Sequence, residues 1–243
     1  MKCEEVEVPV TFPDDLPVHP HKAPEWLGDI AHGADMVSSR LSNRTPTRGG
    51  EKQAAVLMLF SGDPTATTLP DDAGILLTHR TPTMRTHSGQ MAFPGGRIDP
   101  DDRGPVDAAL REANEETGLD PAAVTPVATL ETVSVRSNGY PVHPVVAYQH
   151  EPVPTWPASK HETDDVFDAN LHELLDDTNR ITVGWRGWTG PAFRVNGYLV
   201  WGFTAALLDG IFSAAGWEKH WAHERVYDLG DALAQSRNGE RHR

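Results

Sequence analysis

GGRIDPDDRGPVDAALREANEETGL, residues 95–119, joins a glycine pair, an acidic turn and a capped helix. Proline suits the first helical turn and glycine suits the left-handed position after the last one, so Pro105 and Gly118 predict a helix over residues 105–117. At helical spacing, five residues fall within an arc of about 100° and form one buried stripe. They are Val106, Ala109, Leu110, Ala113 and Thr117.

The same helix carries three glutamates, Glu112, Glu115 and Glu116, at positions i, i+3 and i+4, so they share one face. Like charges on one face repel, and the C-terminal end of a helix disfavours negative charge. Mg²⁺ or Mn²⁺ prefers oxygen ligands and would relieve this repulsion between the helix and a diphosphate. The spacing of the glutamates alone leaves a solvated acidic face as the alternative interpretation.

Outward from this helix, the apolar patterns predict short strands and a few helices. Strands are expected at residues 54–60, 74–79, 128–135 and 144–148, and helices at 24–41, near 171–175 and at 200–212. Strands mixed with helices at intervals indicate an α/β or α+β sandwich. We expect one domain over residues 51–235, preceded by a partly helical extension, residues 1–50, and followed by a polar tail, residues 236–243.

Composition narrows the class of protein. The chain has 21 Lys+Arg against 35 Asp+Glu, a net charge of -14, which disfavours a broad basic surface for nucleic acid or anionic lipid. Cys3 is the single cysteine, so an intramolecular disulfide and a thiolate zinc site are excluded. The acidic N-terminus does not look like a signal peptide, and no stretch approaches the roughly 20 apolar residues of a membrane span. We expect a soluble, cytoplasmic protein that acts on a small phosphorylated molecule, without nucleic-acid or membrane partners.

The stretch REANEETGL at 111–119 resembles the Nudix box at each fixed position of that motif. The loop before it is one residue longer than the commonest form, and Asp102 stands where Glu is usual. Both departures resemble the Nudix subfamily that hydrolyses coenzyme A. Residues 76–96, LLTHRTPTMRTHSGQMAFPGG, are similar to a second signature of that subfamily. The resemblance implies a Nudix fold, a mixed β-sheet sandwiched between α-helices with the box as loop-helix-loop.

The resemblance also implies roles for individual residues. Mg²⁺ or Mn²⁺ would be held by the Gly96 carbonyl and by Glu112, Glu115 and Glu116, with Arg111 orienting the carboxylates. Either Glu115 or Glu162, a residue of the later stretch KHETDDVFD, would serve as general base, with Asp164 and Asp165 as fallback candidates. A structural ion pair is the alternative role for Arg111, and a charged loop residue is the alternative for Glu162.

Residues before the glycine pair are the candidates for binding substrate. The cations Arg80, Arg85 and His87 suit the phosphates of coenzyme A, although plain surface charges would look the same. Gln90 would donate a hydrogen bond, and Gly95 would let the main chain approach the phosphates. We expect Phe93 and Trp201 to lie in the core; the alternative is that Phe93 packs near the substrate and that Trp201 supports the substrate pocket.

The sequence therefore predicts a coenzyme A diphosphatase, in which water attacks phosphorus and releases 3',5'-ADP and 4'-phosphopantetheine or its acyl form. Two alternatives stay open. One is a Nudix hydrolase of another nucleoside diphosphate derivative, such as ADP-ribose, NADH or a dinucleotide; the other is a non-catalytic module that binds a nucleotide. The sequence does not decide whether the protein forms a homodimer.

Overall fold

Two β-sheets and five α-helices make up the part of the chain that the computed structural model describes, residues 12–33, 52–134 and 140–240. The strands are β1 Ala54–Ser61, β2 Gly74–Arg80, β3 Met91–Ala92, β4 Gly95–Arg97, β5 Val124–Thr129, β6 Val133–Ser134, β7 Pro141–Gln149, β8 Thr163–Asn170, β9 Arg180–Trp185, β10 Trp188–Val195, β11 Tyr198–Trp201 and β12 Val226–Asp228. The helices are α1 Gly28–His32, α2 Pro105–Thr117, α3 Leu171–Leu174, α4 Gly202–Ala214 and α5 Leu229–Ala234. Short 3₁₀ turns lie at Pro20–Lys22, Glu25–Leu27 and Pro121–Ala123.

The larger sheet is mixed and, within the described residues, contains eight strands. Its central strand β1 runs parallel to β7 and antiparallel to β2 and β4. Strand β2 pairs in turn with β3 and β8, both antiparallel. The short strand β4, which carries the glycine pair, is therefore held against the middle of the sheet.

This sheet lies between two helices, because successive side chains of a strand point to opposite faces. On one face, Leu57 and Leu59 of β1 pack in a cluster with the buried stripe of α2. On the other face, Met58 and Phe60 pack in a cluster with α4. The predicted sheet between helices is confirmed.

A second, four-stranded sheet follows in the order β11-β10-β9-β12. It packs on α5 through a separate apolar cluster that includes Ile181, Leu199 and Leu229. The sequence patterns predicted neither β8 nor the strands β9, β10 and β12. No helix within residues 12–33, 52–134 and 140–240 combines the length and the apolar character needed to cross a membrane.

Several predicted elements are confirmed. Helix α2 spans the predicted residues 105–117, and its terminal Gly118 is left-handed at φ 66°. The strands expected at 54–60, 74–79 and 144–148 appear as parts of β1, β2 and β7, and the short helix near 171–175 appears as α3.

Three predicted elements were wrong in part. The strand expected at 128–135 is interrupted after Thr129: β5 begins earlier, at Val124, and β6 is a separate strand, while residue 135 lies outside the described residues. The helix expected at 200–212 begins only at Gly202, because Val200 and Trp201 pair with β10 in the second sheet. Of the helix expected at 24–41, the structure has a 3₁₀ turn and α1, which ends at His32; residues 34–41 lie outside the described residues.

Candidate active site

The glycine pair brings the main chain against both the sheet and helix α2. Gly95 pairs with Val56 and Gly96 with Ala55 in β1. A Cβ atom on Gly95 would lie 2.4 Å from the Ala55 carbonyl oxygen, and one on Gly96 would lie 2.5 Å from the carboxyl carbon of Glu112. Gly95, with φ 156° and backbone atoms this close, therefore requires glycine, and the carboxylate of Glu112 lies directly against the backbone of Gly96.

Glu116 is a buried carboxylate, with 3% of its surface exposed. Its Oε2 accepts a hydrogen bond from the backbone N–H of Gly95 at 3.2 Å, and its Oε1 lies 3.8 Å from Nη1 of Arg80. Burial raises the pKa of Glu116 to about 7. Arg80 and the Gly95 N–H lower this pKa, and the like charges of Glu112 and Glu162 raise it. A buried carboxylate of this kind is stabilised when a cation is bound beside it.

Arg111 ties the acidic turn to the carboxylate face of α2. It donates to both oxygens of Asp102, from Nε to Oδ1 at 2.8 Å and from Nη2 to Oδ2 at 2.9 Å. Its Nη1 donates to Glu112 at 3.0 Å and to Glu115 at 3.3 Å. The hydrogen bonds to Asp102, and after them the charge and hydrogen bond of Glu112, raise the pKa of Arg111. The aspartate at 102 thus serves as a bidentate partner of Arg111.

The three glutamates differ in their surroundings. Burial raises the pKa of Glu112, while Arg111 lowers it and Glu115 and Glu162 raise it further. The side chain of Glu115 is 56% exposed and lies beside Arg111. Glu116 and Glu112 therefore line the inner side of the site, and Glu115 lies at its outer rim.

Glu162 lies on an exposed turn immediately before β8. Its backbone carbonyl accepts a hydrogen bond from Thr81 N–H at 2.8 Å, next to Arg80, and its charge raises the pKa values of both Glu112 and Glu116. The two fallback acids lie in β8 and bind elsewhere: Asp164 contacts Nδ1 of His79, and Asp165 accepts from the Tyr198 hydroxyl at 2.9 Å. Of the three candidate acids, Glu162 is thus the one whose charge acts on Glu112 and Glu116, whereas Asp164 and Asp165 are bound to other side chains.

The segment that precedes Glu162 is hydrogen-bonded to the C-terminal end of α2, a connection that no sequence motif predicts. Trp156 N–H donates to the Thr117 carbonyl at 2.9 Å, and Ala158 N–H donates to that of Glu116 at 3.0 Å. The indole of Trp156 covers Gly118, where a Cβ atom would lie 2.4 Å from Cζ2 of the ring. These contacts satisfy the last carbonyls of the helix and fix the course of the chain toward Glu162.

Of the predicted substrate-binding side chains, the structure places Arg80 beside the buried carboxylate and leaves Arg85 and His87 on an exposed loop. Arg80, at the end of β2, lies beside Glu116. Arg85 and His87 are exposed on the loop between β2 and β3, and Nδ1 of His87 lies 2.9 Å from Oε1 of Gln90. Phe93 is 3% exposed and belongs to the core, as predicted. Trp201 lies at the end of β11 and not in the expected helix; it is half-buried against the apolar cluster of the second sheet, and its Nε1 donates to Glu240 at 2.8 Å.

The cluster fits a hard divalent cation in its chemistry. Within the described ranges, no three acidic or histidine side chains converge closely enough to form a finished metal site. Yet Glu112 and Glu116 offer carboxylate oxygens next to the backbone of the glycine pair, and burial, followed by the charge of neighbouring glutamates, raises both pKa values. Oxygen donors with excess negative charge are the ligands that Mg²⁺ and Mn²⁺ prefer.

Comparison with known proteins agrees with this geometry. The family model described as the NUDIX domain matches residues 54–183, which run from β1 through β9. The "Nudix hydrolase 15, mitochondrial" of Arabidopsis thaliana is 34% identical over 181 residues, 68% of this chain and 59% of that protein. The "Uncharacterized Nudix hydrolase NudL" of Shigella flexneri is 34% identical over 179 residues, 68% of this chain and 83% of that protein. This chain thus spans less than two thirds of the Arabidopsis relative.

Among solved structures, a Nudix hydrolase of M. smegmatis, RenU, is 22% identical and covers 72% of this chain and 92% of its own, with a TM-score of 0.48. An ADP-ribose pyrophosphatase of Streptococcus suis is 19% identical, covers 73% of this chain and 100% of its own, and has a TM-score of 0.42. With TM-scores this low, the family assignment rests on the domain match and on the sequence relatives.

Proposed function

The chain belongs to the Nudix family, and from this premise we propose that it is a metal-dependent hydrolase that cleaves the diphosphate of coenzyme A or an acyl-CoA. The products would be 3',5'-ADP and 4'-phosphopantetheine or its acyl form. The choice of coenzyme A among nucleoside diphosphate derivatives is supported by residues 76–96, which resemble the signature of the coenzyme A subfamily.

The observation that carries the proposal is the position of Arg80 beside Glu116. Residues 76–96 form the end of β2, the loop, β3 and the glycine pair, and this course brings Arg80 within 3.8 Å of the buried carboxylate. The Nε of Arg80 is buried and has no hydrogen-bond partner in the described part of the chain. A buried guanidinium N–H without an acceptor is costly, and a phosphate oxygen bound there would satisfy it.

Hydrolysis joins the oxygen of a water molecule to one phosphorus atom and breaks the bridging P–O bond of the diphosphate. A carboxylate must take the proton of that water, and Glu162, whose backbone carbonyl accepts from Thr81 N–H next to Arg80, is one candidate. Glu115, at the outer rim, is the second candidate. Bound Mg²⁺ or Mn²⁺ supplies Lewis-acid polarisation of the phosphoryl oxygens. Arg111 orients the carboxylates of Glu112 and Glu115, which would hold the metal ion.

The test is turnover of coenzyme A, ADP-ribose, NADH and a dinucleotide by the full chain with Mg²⁺ or Mn²⁺. We expect the highest kcat/KM with coenzyme A and release of 3',5'-ADP. A higher value with ADP-ribose, NADH or the dinucleotide would overturn the coenzyme A assignment and keep the hydrolase. Binding of a nucleotide without any turnover would leave the non-catalytic module as the function.

The role of Arg80 is tested by Arg80→Ala and Arg80→Lys. We expect Arg80→Ala to raise KM by about tenfold or more, because charge-assisted hydrogen bonds to phosphate are among the strong ones. Arg80→Lys keeps the charge and loses the Nε donor, so an intermediate effect is expected. Arg103→Ala is the matched control, because Arg103 pairs with Asp107 at the far end of α2. An unchanged KM in Arg80→Ala would contradict the role of Arg80.

A further inference from the structure

The C-terminal residues 236–240 are hydrogen-bonded to the second sheet through the side chain of Asn238. Asn238 is fully buried, and its amide pairs with both backbone groups of Leu199 in β11. Its Oδ1 accepts from Leu199 N–H at 2.8 Å, and its Nδ2 donates to the Leu199 carbonyl at 3.0 Å. The side-chain amide of Asn238 thus pairs with β11 as the backbone of a neighbouring strand would. This pairing fixes the position of the backbone carbonyl of Asn238.

That carbonyl lies against the loop between β2 and β3. Nε2 of His79, a residue that is 3% exposed, lies 3.0 Å from the Asn238 carbonyl oxygen and 3.2 Å from that of Gly89. Carbonyl oxygens only accept, so Nε2 donates to both. A Cβ atom on Gly89 would lie 2.4 Å from the Asn238 carbonyl oxygen. The loop and the C-terminal segment are therefore in close contact, with His79 bridging them.

The contact continues to the backbone of Arg80. Gly89 N–H donates to the Arg80 carbonyl at 2.9 Å, and Arg80 N–H donates to the Gln90 carbonyl at 2.9 Å. On the other side of the loop, a Cβ atom on Gly239 would lie 3.3 Å from Cγ of Pro82. The C-terminal segment therefore contacts the loop 81–90 at both ends, at Pro82 and at Gly89.

We propose that Asn238 is a positioning residue for substrate binding: it fastens the loop 81–90 to β11 and thereby holds Arg80 beside Glu116. This inference rests on the proposed function, because it assigns to Arg80 the binding of substrate phosphate. Asn238 does not touch Glu112, Glu116 or Arg80. It acts through His79 and Gly89.

The first test measures amide hydrogen exchange on the full chain without metal or substrate. In Asn238→Ala, we expect the amides of Arg80, Gly89 and Gln90 to exchange about tenfold faster, since a loop freed from a buried hydrogen-bonded contact opens more often. Asn170→Ala is the matched control: its amide also binds two backbone groups, at Asp71 and Glu173, but at the opposite end of β2. Normal exchange of the loop in Asn238→Ala would overturn the proposal.

The second test measures steady-state kinetics with coenzyme A. We expect Asn238→Ala to raise KM about tenfold and to change kcat by less than about threefold, because the loss falls on binding. A fall in kcat at constant KM would overturn the positioning of Arg80. If the wild-type chain turns over none of the substrates, the proposed function fails, whereas the exchange experiment still decides whether Asn238 fastens the loop.

Gly89→Ala provides the same test from the loop side if Asn238→Ala does not fold. Its added Cβ atom would collide with the Asn238 carbonyl and alanine would be strained at φ 75°, whereas the hydrogen bonds between Asn238 and Leu199 do not involve Gly89. We expect faster exchange at Arg80 and Gln90 and a raised KM. Wild-type exchange and KM in this variant would likewise overturn the proposal.

Discussion

Asp15 caps helix α2 at Val106, across 91 residues of sequence. Its Oδ2 accepts from Val106 N–H at 3.0 Å, and its Oδ1 accepts from Asp107 N–H at 3.1 Å. Gly104 makes room for this contact, since a Cβ atom there would lie 2.5 Å from the carboxyl carbon of Asp15. The N-terminal extension, to which the sequence assigned no role, therefore supports the helix that carries the glutamates.

We expect Asp15→Ala to lower the free energy of unfolding by about 1 kcal/mol, the usual cost of losing an N-cap side chain. Asp15→Asn, which keeps one acceptor oxygen, should lose less. Urea denaturation followed by circular dichroism measures both effects. Asp14→Ala is the control, because Asp14 is the exposed neighbour in the same segment. An equal loss in Asp14→Ala would show that the cap contributes nothing specific.

Glu116→Gln should lower turnover by at least about a hundredfold and leave the fold intact, because it removes one charge from the proposed metal ligands. The glutamine keeps the shape of the side chain and an acceptor for Gly95 N–H. Two measurements check this: turnover of coenzyme A, and the rise in Tm on addition of Mg²⁺, which should shrink in the variant. Glu151→Gln, an exposed glutamate outside the site, is the control. Near-normal turnover in Glu116→Gln would remove the metal assignment.

The Asp102–Arg111 pair should contribute stability that depends on pH. The hydrogen bonds of Arg111 lower the pKa of Asp102 in the folded state, so the ionised carboxylate favours folding. This stability is present above the unfolded pKa of about 3.9 and is lost as pH falls through the lower folded value. We expect wild type and Asp102→Asn to differ in unfolding free energy by a constant amount from about pH 7 to 5, and by less below about pH 4. Urea denaturation at several pH values measures this; a difference independent of pH would contradict the prediction.

Gly118→Ala should destabilise the protein for two reasons. Gly118 has φ 66°, where alanine is strained, and its Cβ atom would collide with Trp156. Gly187→Ala separates the two causes, because Gly187 has φ 82° and open space around it. We expect Gly187→Ala to cost about 1 kcal/mol, the strain alone, and Gly118→Ala to cost more. Equal losses in thermal unfolding would mean that the contact with Trp156 does not matter.

Local patterns predicted the elements whose determinants are neighbours in the chain. Pro105, Gly118 and the apolar stripe set both ends and the buried face of α2. The helix expected at 200–212 was wrong at its start, because Val200 and Trp201 are recruited by β10, a partner that helical periodicity does not reveal. Strand β8 was missed because polar residues such as Asp164 and Asp165 occupy it and hide the apolar pattern of a strand. These side chains bind His79 of β2 and Tyr198 of β11, which only the folded chain brings near.

The sequence by itself determined the carboxylate helix, its first-turn proline and terminal glycine, the glycine pair and the family resemblance, because each depends on the order of residues within one short stretch. Only the tertiary structure decided which glutamate is buried, that Asp15 caps the helix, that Asp164 binds His79, and that the Asn238 carbonyl contacts His79 beside Arg80. These relationships join residues far apart in the chain, and their hydrogen bonds and burial exist only once the sheets have packed.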